Sequence, residues 1–289
     1  MEAIITKPAL SVTDENLDLA EPFSYTLIIA LSQHSAACCV VDIKNQNYAA
    51  IEQVNFMNNA GLQHSFHLFE DYFKATRFAQ LKFKTVCVVV ASSFYTIVPN
   101  PLFEQAAAES VLRFNTQIPF DATFLTRPLN SIESTLIHAL PVEMKTGLEK
   151  LFGEVKIIHH AEPFISESMT QFKNSNEKTL LAHVQNGHFD LMAIADHKMI
   201  FFNSFNYVTT EDVVYYTLLV CETLQLNPEE ITLKLCGEIE KKSAIYNLLY
   251  KYIRTIEFLS SHRSFKYSGG FSPLPGHFFF NLINTAHCV

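Results

Sequence analysis

Three short stretches hold the side chains and glycines that could handle an anion. Ser32-Gln33-His34 joins two β-rich runs, Asn186-Gly187-His188 joins two more, and Gly237-Glu238 follows a further one. A turn glycine lets backbone N–H groups approach a phosphate closely. Hydroxyl, amide and imidazole groups can donate hydrogen bonds to the same anion, and a carboxylate would hold hydrated magnesium. The first turn has neither carboxylate nor glycine. The second has Gly187, preceded by His183, Val184 and Gln185. A glycine in a tight hairpin is explained by positive φ alone. In "KLCGEI", Gly237 ends a strand and Glu238 is placed to cap or begin a helix. Ser32, Gln33, His34, Asn186, Gly187, His188, Gly237 and Glu238 are therefore candidate ligand loops, and none is read as catalytic.

Other clusters point to structure. His64-x-x-His67 and the pair His183 and His188 lack the carboxylate or cysteine pattern of a metal site. His159-His160 end a strand, where neighbouring side chains face opposite ways and cannot chelate one ion. Glu211-Asp212 suit the positive end of a helix dipole. No metal ligand set, P-loop, dinucleotide-binding glycine pattern or nucleophile elbow is present.

The elements that must position these loops form two similar runs. "SYTLIIALS", "AACCVVDIK" and "YAAIEQV" read as a three-stranded meander, followed by a helix with Phe66, Phe69, Tyr72 and Phe73 on one stripe. "KTVCVVVAS" reads as a strand buried on both faces. "FYTIVP" adds a short strand, and Pro99 and Pro101 introduce a helix through "LFEQAAAESVLRF". "STLIHAL", "PVEMKTGLEKLF", "EVKIIHH" and "EPFISESMTQF" then alternate strand and helix, as parallel βαβ connections would. After the polar stretch "NSNEK" the opening pattern restarts with "TLLAHVQ", "HFDLMAIAD" and "KMIFFNSF". Thr26 matches Thr179, and Asp42-Ile43-Lys44 matches Asp196-His197-Lys198. A helix from Thr209 or Thr210, the strand "ITLKLCG", the helix "KKSAIYNLLYKYI" and a weaker strand around "TIEFL" complete the second run. The expected organisation is an extended arm over 1–23, a first lobe over 24–173, and a second lobe with a C-terminal tail over 177–289.

Composition bounds the partners. The 289 residues are 48% hydrophobic and 17% charged, enough for two buried cores. Glycine is scarce at 8, and a formal charge of −8 with no basic cluster argues against nucleic acid and anionic membrane. Six cysteines stand mostly in apolar runs without C-x-x-C spacing, which predicts buried thiols rather than disulfides or zinc. The acidic start lacks the pattern of a signal peptide, and no apolar run is long enough to span a membrane. A cytoplasmic protein is the expectation.

A meander followed by helix, strand and helix, written twice, resembles the ribonuclease-H-like unit duplicated in actin, sugar kinases and heat-shock ATPases. The stretch "FFNSFNYVTTEDVVYYTLLVCETLQLNPEEITLKLCGEI" is similar to the second lobe of PilM- and GspL-type actin-like proteins. It is more similar still to an uncharacterised bacterial family, mostly from Bacteroidetes. The shared elements are Asn203-Ser204-Phe205, Glu211-Asp212-Val213 with Tyr215-Tyr216, and Leu235 with Gly237-Glu238; "PLPGHFFFNLINTAHC" matches the family's ending.

The resemblance implies an α/β, mixed-sheet actin-like ATPase fold of two tandem ribonuclease-H-like lobes, and no established activity. In active members the hairpin turns carry acid-and-glycine loops, and the third turn carries adjacent small glycines. Those groups are missing here, so ATP and magnesium are not expected cofactors. The expected function is a catalytically silent scaffold for a protein partner or for self-association. The alternative is a nucleotide- or small-molecule-binding protein, a weak ATPase or kinase, using an altered inter-lobe cleft. The tail phenylalanines Phe278, Phe279 and Phe280 are expected to dock on the second lobe, or else on an external partner.

Overall fold

The computed structural model describes residues 8–14, 17, 25–56, 61–261, 266–267 and 275–288. The described residues divide into two compact units. One comprises those within Met1–Pro163, Arg263–Pro273 and Thr285–Val289, and the other those within Phe164–His262 and Leu274–Asn284.

In the first unit β1 (Leu10–Thr13) is an edge strand lying within the stretch read as an arm. Next come β2 (Thr26–Leu31), β3 (Ser35–Asp42) and β4 (Asn47–Asn55), the expected antiparallel meander. Helix α1 (Leu62–Ala75) follows, burying Phe66, Phe69, Tyr72 and Phe73. β5 (Thr85–Val90) then pairs parallel to β2, and its valines are buried on both faces. Such a run of β-branched residues suits a central strand.

The next segment departs from the βαβ expectation. β6 (Tyr95–Pro99), α2 (Ala108–Asn115), β7 (Ala122–Leu129) and β8 (Ser134–Pro141) build a separate sheet of order β6-β8-β7, antiparallel throughout. "STLIHAL" is thus a central antiparallel strand, and "ATFLTRPL" is a strand the sequence reading passed over. Pro128 is tolerated because β7 is an edge. Arg127 is tolerated because its guanidinium grips the buried Glu162 carboxylate with two hydrogen bonds, 2.8 and 3.0 Å.

Helix α3 (Val142–Phe152) lies near α1. A Cβ on its Gly147 would sit 2.4 Å from the Phe66 ring, so the glycine makes room for that side chain. β9 (Lys156–His159) joins the main sheet parallel to β5, completing the order β1-β4-β3-β2-β5-β9, and α4 (Ala161–Gln171) follows.

The second unit repeats this order in shorter form. β10 (Thr179–Gln185), β11 (His188–Ala195) and β12 (Lys198–Asn206) are antiparallel neighbours. α5 (Thr210–Thr223) opens with a capping box. Thr209 is its N-cap, and the Asp212 carboxylate accepts from the Thr209 and Val208 amides at 2.8 and 2.9 Å. Those two amides hold the Asp212 carboxyl below its ordinary value. β13 (Thr232–Gly237) pairs parallel to β10, α6 (Ala244–Leu249) is capped by Ser243, and β14 (Thr255–Phe258) pairs parallel to β13. The sheet order is β12-β11-β10-β13-β14. Glu238 therefore neither caps nor begins the helix, which starts six residues later at Ala244.

β15 (Lys266–Tyr267) pairs with β4, and α7 (Phe280–Asn284) closes the second unit. Phe279 and Phe280 are buried, and Phe280 meets the Phe164 ring edge-on at 6.0 Å. Residues 275–284 of the tail belong to the second unit and 285–288 to the first; "SGGF" and Pro273 lie outside the described residues. All six cysteines are free. Burial pushes the Cys38, Cys39 and Cys236 thiols up, and Cys87 up to about 12. Burial that disfavours the thiolate makes these four poor nucleophiles.

Candidate functional site

The three candidate loops are where strands end, and each is closed by groups of its own unit. In the first, Ser32 is buried and its hydroxyl accepts from the amides of His34 (3.2 Å) and Ser35 (3.0 Å). The loop carbonyls are engaged as well. Ser65 of α1 donates its hydroxyl to Gln33 O at 2.8 Å, and the Phe56 amide donates to His34 O at 2.7 Å. Ser32, Gln33 and His34 do come together, as a turn whose backbone is held from both sides.

In the second loop Asn186 is exposed, and Gly187 carries the positive φ of 80°. The strands pair up to Gln185 and His188, leaving a two-residue turn. Tyr207, just past β12, fastens it. Its hydroxyl donates to Gln185 O at 2.7 Å and its amide donates to Gly187 O at 3.0 Å. Burial pushes the Tyr207 hydroxyl up, opposed by a hydrogen bond from the Gly187 backbone.

The third loop lies at the same end of that sheet, since Val184 is in register with Gly237. Gly237 has φ of 88°, and a Cβ there would sit 2.1 Å from Val184 O. The Gly237 amide donates to His277 O at 2.8 Å, and the Glu238 amide donates to Val184 O at 2.7 Å. The His277 ring hydrogen-bonds Ile239 O at 2.8 Å, and burial lowers its proton affinity. Gly237 is thus demanded by close approach of two strands.

Sequence reasoning missed the buried polar groups behind these loops. Ser204, Asp190, His183 and Cys236 are in register across β12, β11, β10 and β13. Ser204 donates to one Asp190 oxygen at 2.6 Å, and His183 Nδ1 lies 3.2 Å from the other. Asn281 of α7 is 3.4 Å from the same nitrogen. His183 therefore pairs with Asp190 rather than with His188. The pairing was available from the sequence, because counting outward from a two-residue turn at 186–187 sets 183 opposite 190.

In the first unit His159 and His160 do not diverge. Their rings are 4.3 Å apart, because strand alternation stops where the chain turns into α4. Both His159 nitrogens are engaged, with Ser92 O at 2.8 Å and the Ala161 amide at 3.3 Å. His138, fully buried 5.4 Å from His159, has no hydrogen-bond partner on either nitrogen among the described residues. Burial, His160 and Arg127 push it down to about 3. His64 and His67 lie on α1, where His67 faces the Glu143 carboxylate at 3.5 Å beside an open groove of about 520 Å³ between α1 and α3.

Residues 14–256 match the family described as "Protein of unknown function (DUF3822)". The chain belongs to this family. A DUF3822 chain therefore carries the described loops on an actin-like ATPase fold. A solved protein of that fold and of unknown function, from Bacteroides thetaiotaomicron, superposes with TM-score 0.80 at 22% identity over 94% of this chain and 99% of its own. The PilM–PilN type IV pilus biogenesis complex gives TM-score 0.60 at 12% identity over 92% and 99%. No curated protein matches in sequence. Among the described residues no helix is long and apolar enough to cross a membrane.

Proposed function

We propose that this DUF3822 protein is a non-catalytic, cytoplasmic scaffold. Its two duplicated lobes, 24–173 and 177–289 behind an arm over 1–23, present surfaces to a protein partner or to a second copy. The observation that carries this reading is the closure of the three loops. The amides of His34, Ser35, Gly237 and Glu238 already donate to Ser32, His277 and Val184. A phosphate would have to displace those bonds, each of which stabilises by roughly 1 kcal/mol. Ser32, Gln33, His34, Asn186, Gly187 and His188 offer no carboxylate for magnesium. Support for a binding role comes from PilM, whose structure on this fold is a complex with PilN.

A thermal-shift titration with ATP and magnesium tests it. The expected result is an unchanged melting temperature. A rise of several degrees that disappears when magnesium is removed would overturn the scaffold in favour of a nucleotide-binding protein, because binding to the native state stabilises by mass action.

A further inference from the structure

The second unit has an open groove of about 710 Å³ between α6 and β14, and its lining reverses the sign of the chain. Lys241, Lys242 and Arg254 line it and are exposed. With the neighbouring Lys251 they have no ion-pair partner among the described residues. Some surface cations elsewhere are matched, as in Lys74–Glu70, Arg113–Glu109 and Lys145–Glu149, and others, such as Lys44, Lys82 and Lys198, have no ion-pair partner among the described residues; here three such cations line one groove. The carboxylate in the lining, Glu257, is held by Lys234, and the charge of Glu240 acts on His277. Uncompensated cations on a chain of formal charge −8 complement an anionic partner.

The shape of that partner is set by β14. It is the last strand of its sheet among the described residues, paired only with β13. The Leu259 amide donates to Leu235 O, so alternation turns the N–H and C=O groups of Ile256 and Phe258 towards the open edge. An extended peptide can add there as a strand. Beside the edge runs a column of near-parallel rings. Tyr250 stacks on Tyr246 (6.1 Å, 13°), Tyr246 on Phe258 (5.8 Å, 11°), and Phe258 on His277 (4.2 Å, 25°). Tyr250 is 61% exposed, leaving the end of the column accessible to an aromatic side chain.

We propose that this groove docks an acidic, extended segment of a protein partner. The segment adds to β14 as a strand, sets carboxylates against Lys241, Lys242 and Arg254, and packs an aromatic residue on Tyr250. The inference rests on the scaffold reading and supplies its surface and the chemistry of its partner.

The test is fluorescence anisotropy of the full chain with a labelled peptide of alternating glutamate and valine around one tyrosine. Binding that weakens with salt is expected. Combined Lys241→Glu and Lys242→Glu should weaken it about tenfold or more. Ile256→Pro removes an outward N–H and should also weaken it, with β13 pairing kept. Should that variant melt early, the charge reversal decides alone, since exposed lysines do not hold the fold. Absence of binding, equal binding of the lysine-for-glutamate peptide, unchanged affinity in the charge-reversed protein, or binding of single-stranded oligonucleotide instead of peptide would each overturn the proposal. Such a failure without an ATP–magnesium thermal shift sinks the groove alone, whereas that shift sinks the scaffold reading.

Discussion

The β2–β3 and β10–β11 turns occupy the same place in two sheets of the same strand order, yet they are closed by different chemistry. The first uses a serine hydroxyl from inside the turn, helped by Ser65 from α1. The second uses a glycine and a tyrosine reaching back from the end of β12. Two unlike solutions reach one outcome, a hairpin whose polar backbone is internally satisfied.

Buried histidines sharpen the contrast. In the second unit His183 faces Asp190, whose other oxygen is held by Ser204, whereas in the first His138 has no partner among the described residues. The largest effect is expected at Asp190. Asp190→Ala should cost about 3–5 kcal/mol, because breaking a buried polar pair strands the remaining groups. A double-mutant cycle with His183→Leu, read by denaturant unfolding, should recover part of that loss. Strict additivity would show that the two side chains are not coupled.

His138 gives the opposite signature. Its folded-state affinity for protons is pushed to about 3 from an ordinary 6.5. The unfolded chain therefore binds a proton that the native chain refuses, and stability falls as pH drops from about 6.5 towards 3. Between pH 6.5 and 5 the loss from this one group is about 1.6 kcal/mol, since the unfolded ring is already half protonated at 6.5. Tyr95, His159, His160 and Arg127 surround the ring or act on it. His138→Leu should flatten the acid limb of the stability curve by about that amount. Superimposable curves for the two proteins would show that the ring is hydrated or paired in solution.

The meanders were legible because short polar turns separate runs of β-branched and small apolar residues. The parallel strands β5 and β13 were legible because both faces are apolar. β7 was not, because Arg127 and Pro128 break its pattern, and the partner that excuses Arg127 is Glu162, far along the chain. β8 was read as a strand but with the wrong neighbours, since an apolar run does not encode whether it pairs parallel or antiparallel. The candidate loops were placed correctly as strand ends. What closes them was invisible, because Ser65, Tyr207 and His277 arrive from other elements. The matching of Asp42 with Asp196 also proved looser than it looked. Asp42 opens a four-residue loop and accepts from the Asn45 amide at 2.9 Å, whereas Asp196 lies within a two-residue turn with φ of 47°.

The smallest effects test the two closures directly. Gly187→Ala forces a side chain into φ of 80° and should cost about 1–2 kcal/mol. Ser32→Ala strips the acceptor from two amides and should cost about 1–2 kcal/mol. Tyr207→Phe removes the bond to Gln185 O but keeps the ring and the amide, so about 1 kcal/mol is expected. Each is read as a shift in urea midpoint at constant slope. If the turns are structural closures, none of the three should create an ATP–magnesium thermal shift. A shift in Ser32→Ala alone would mean that the hydroxyl masks a phosphate site in the first unit.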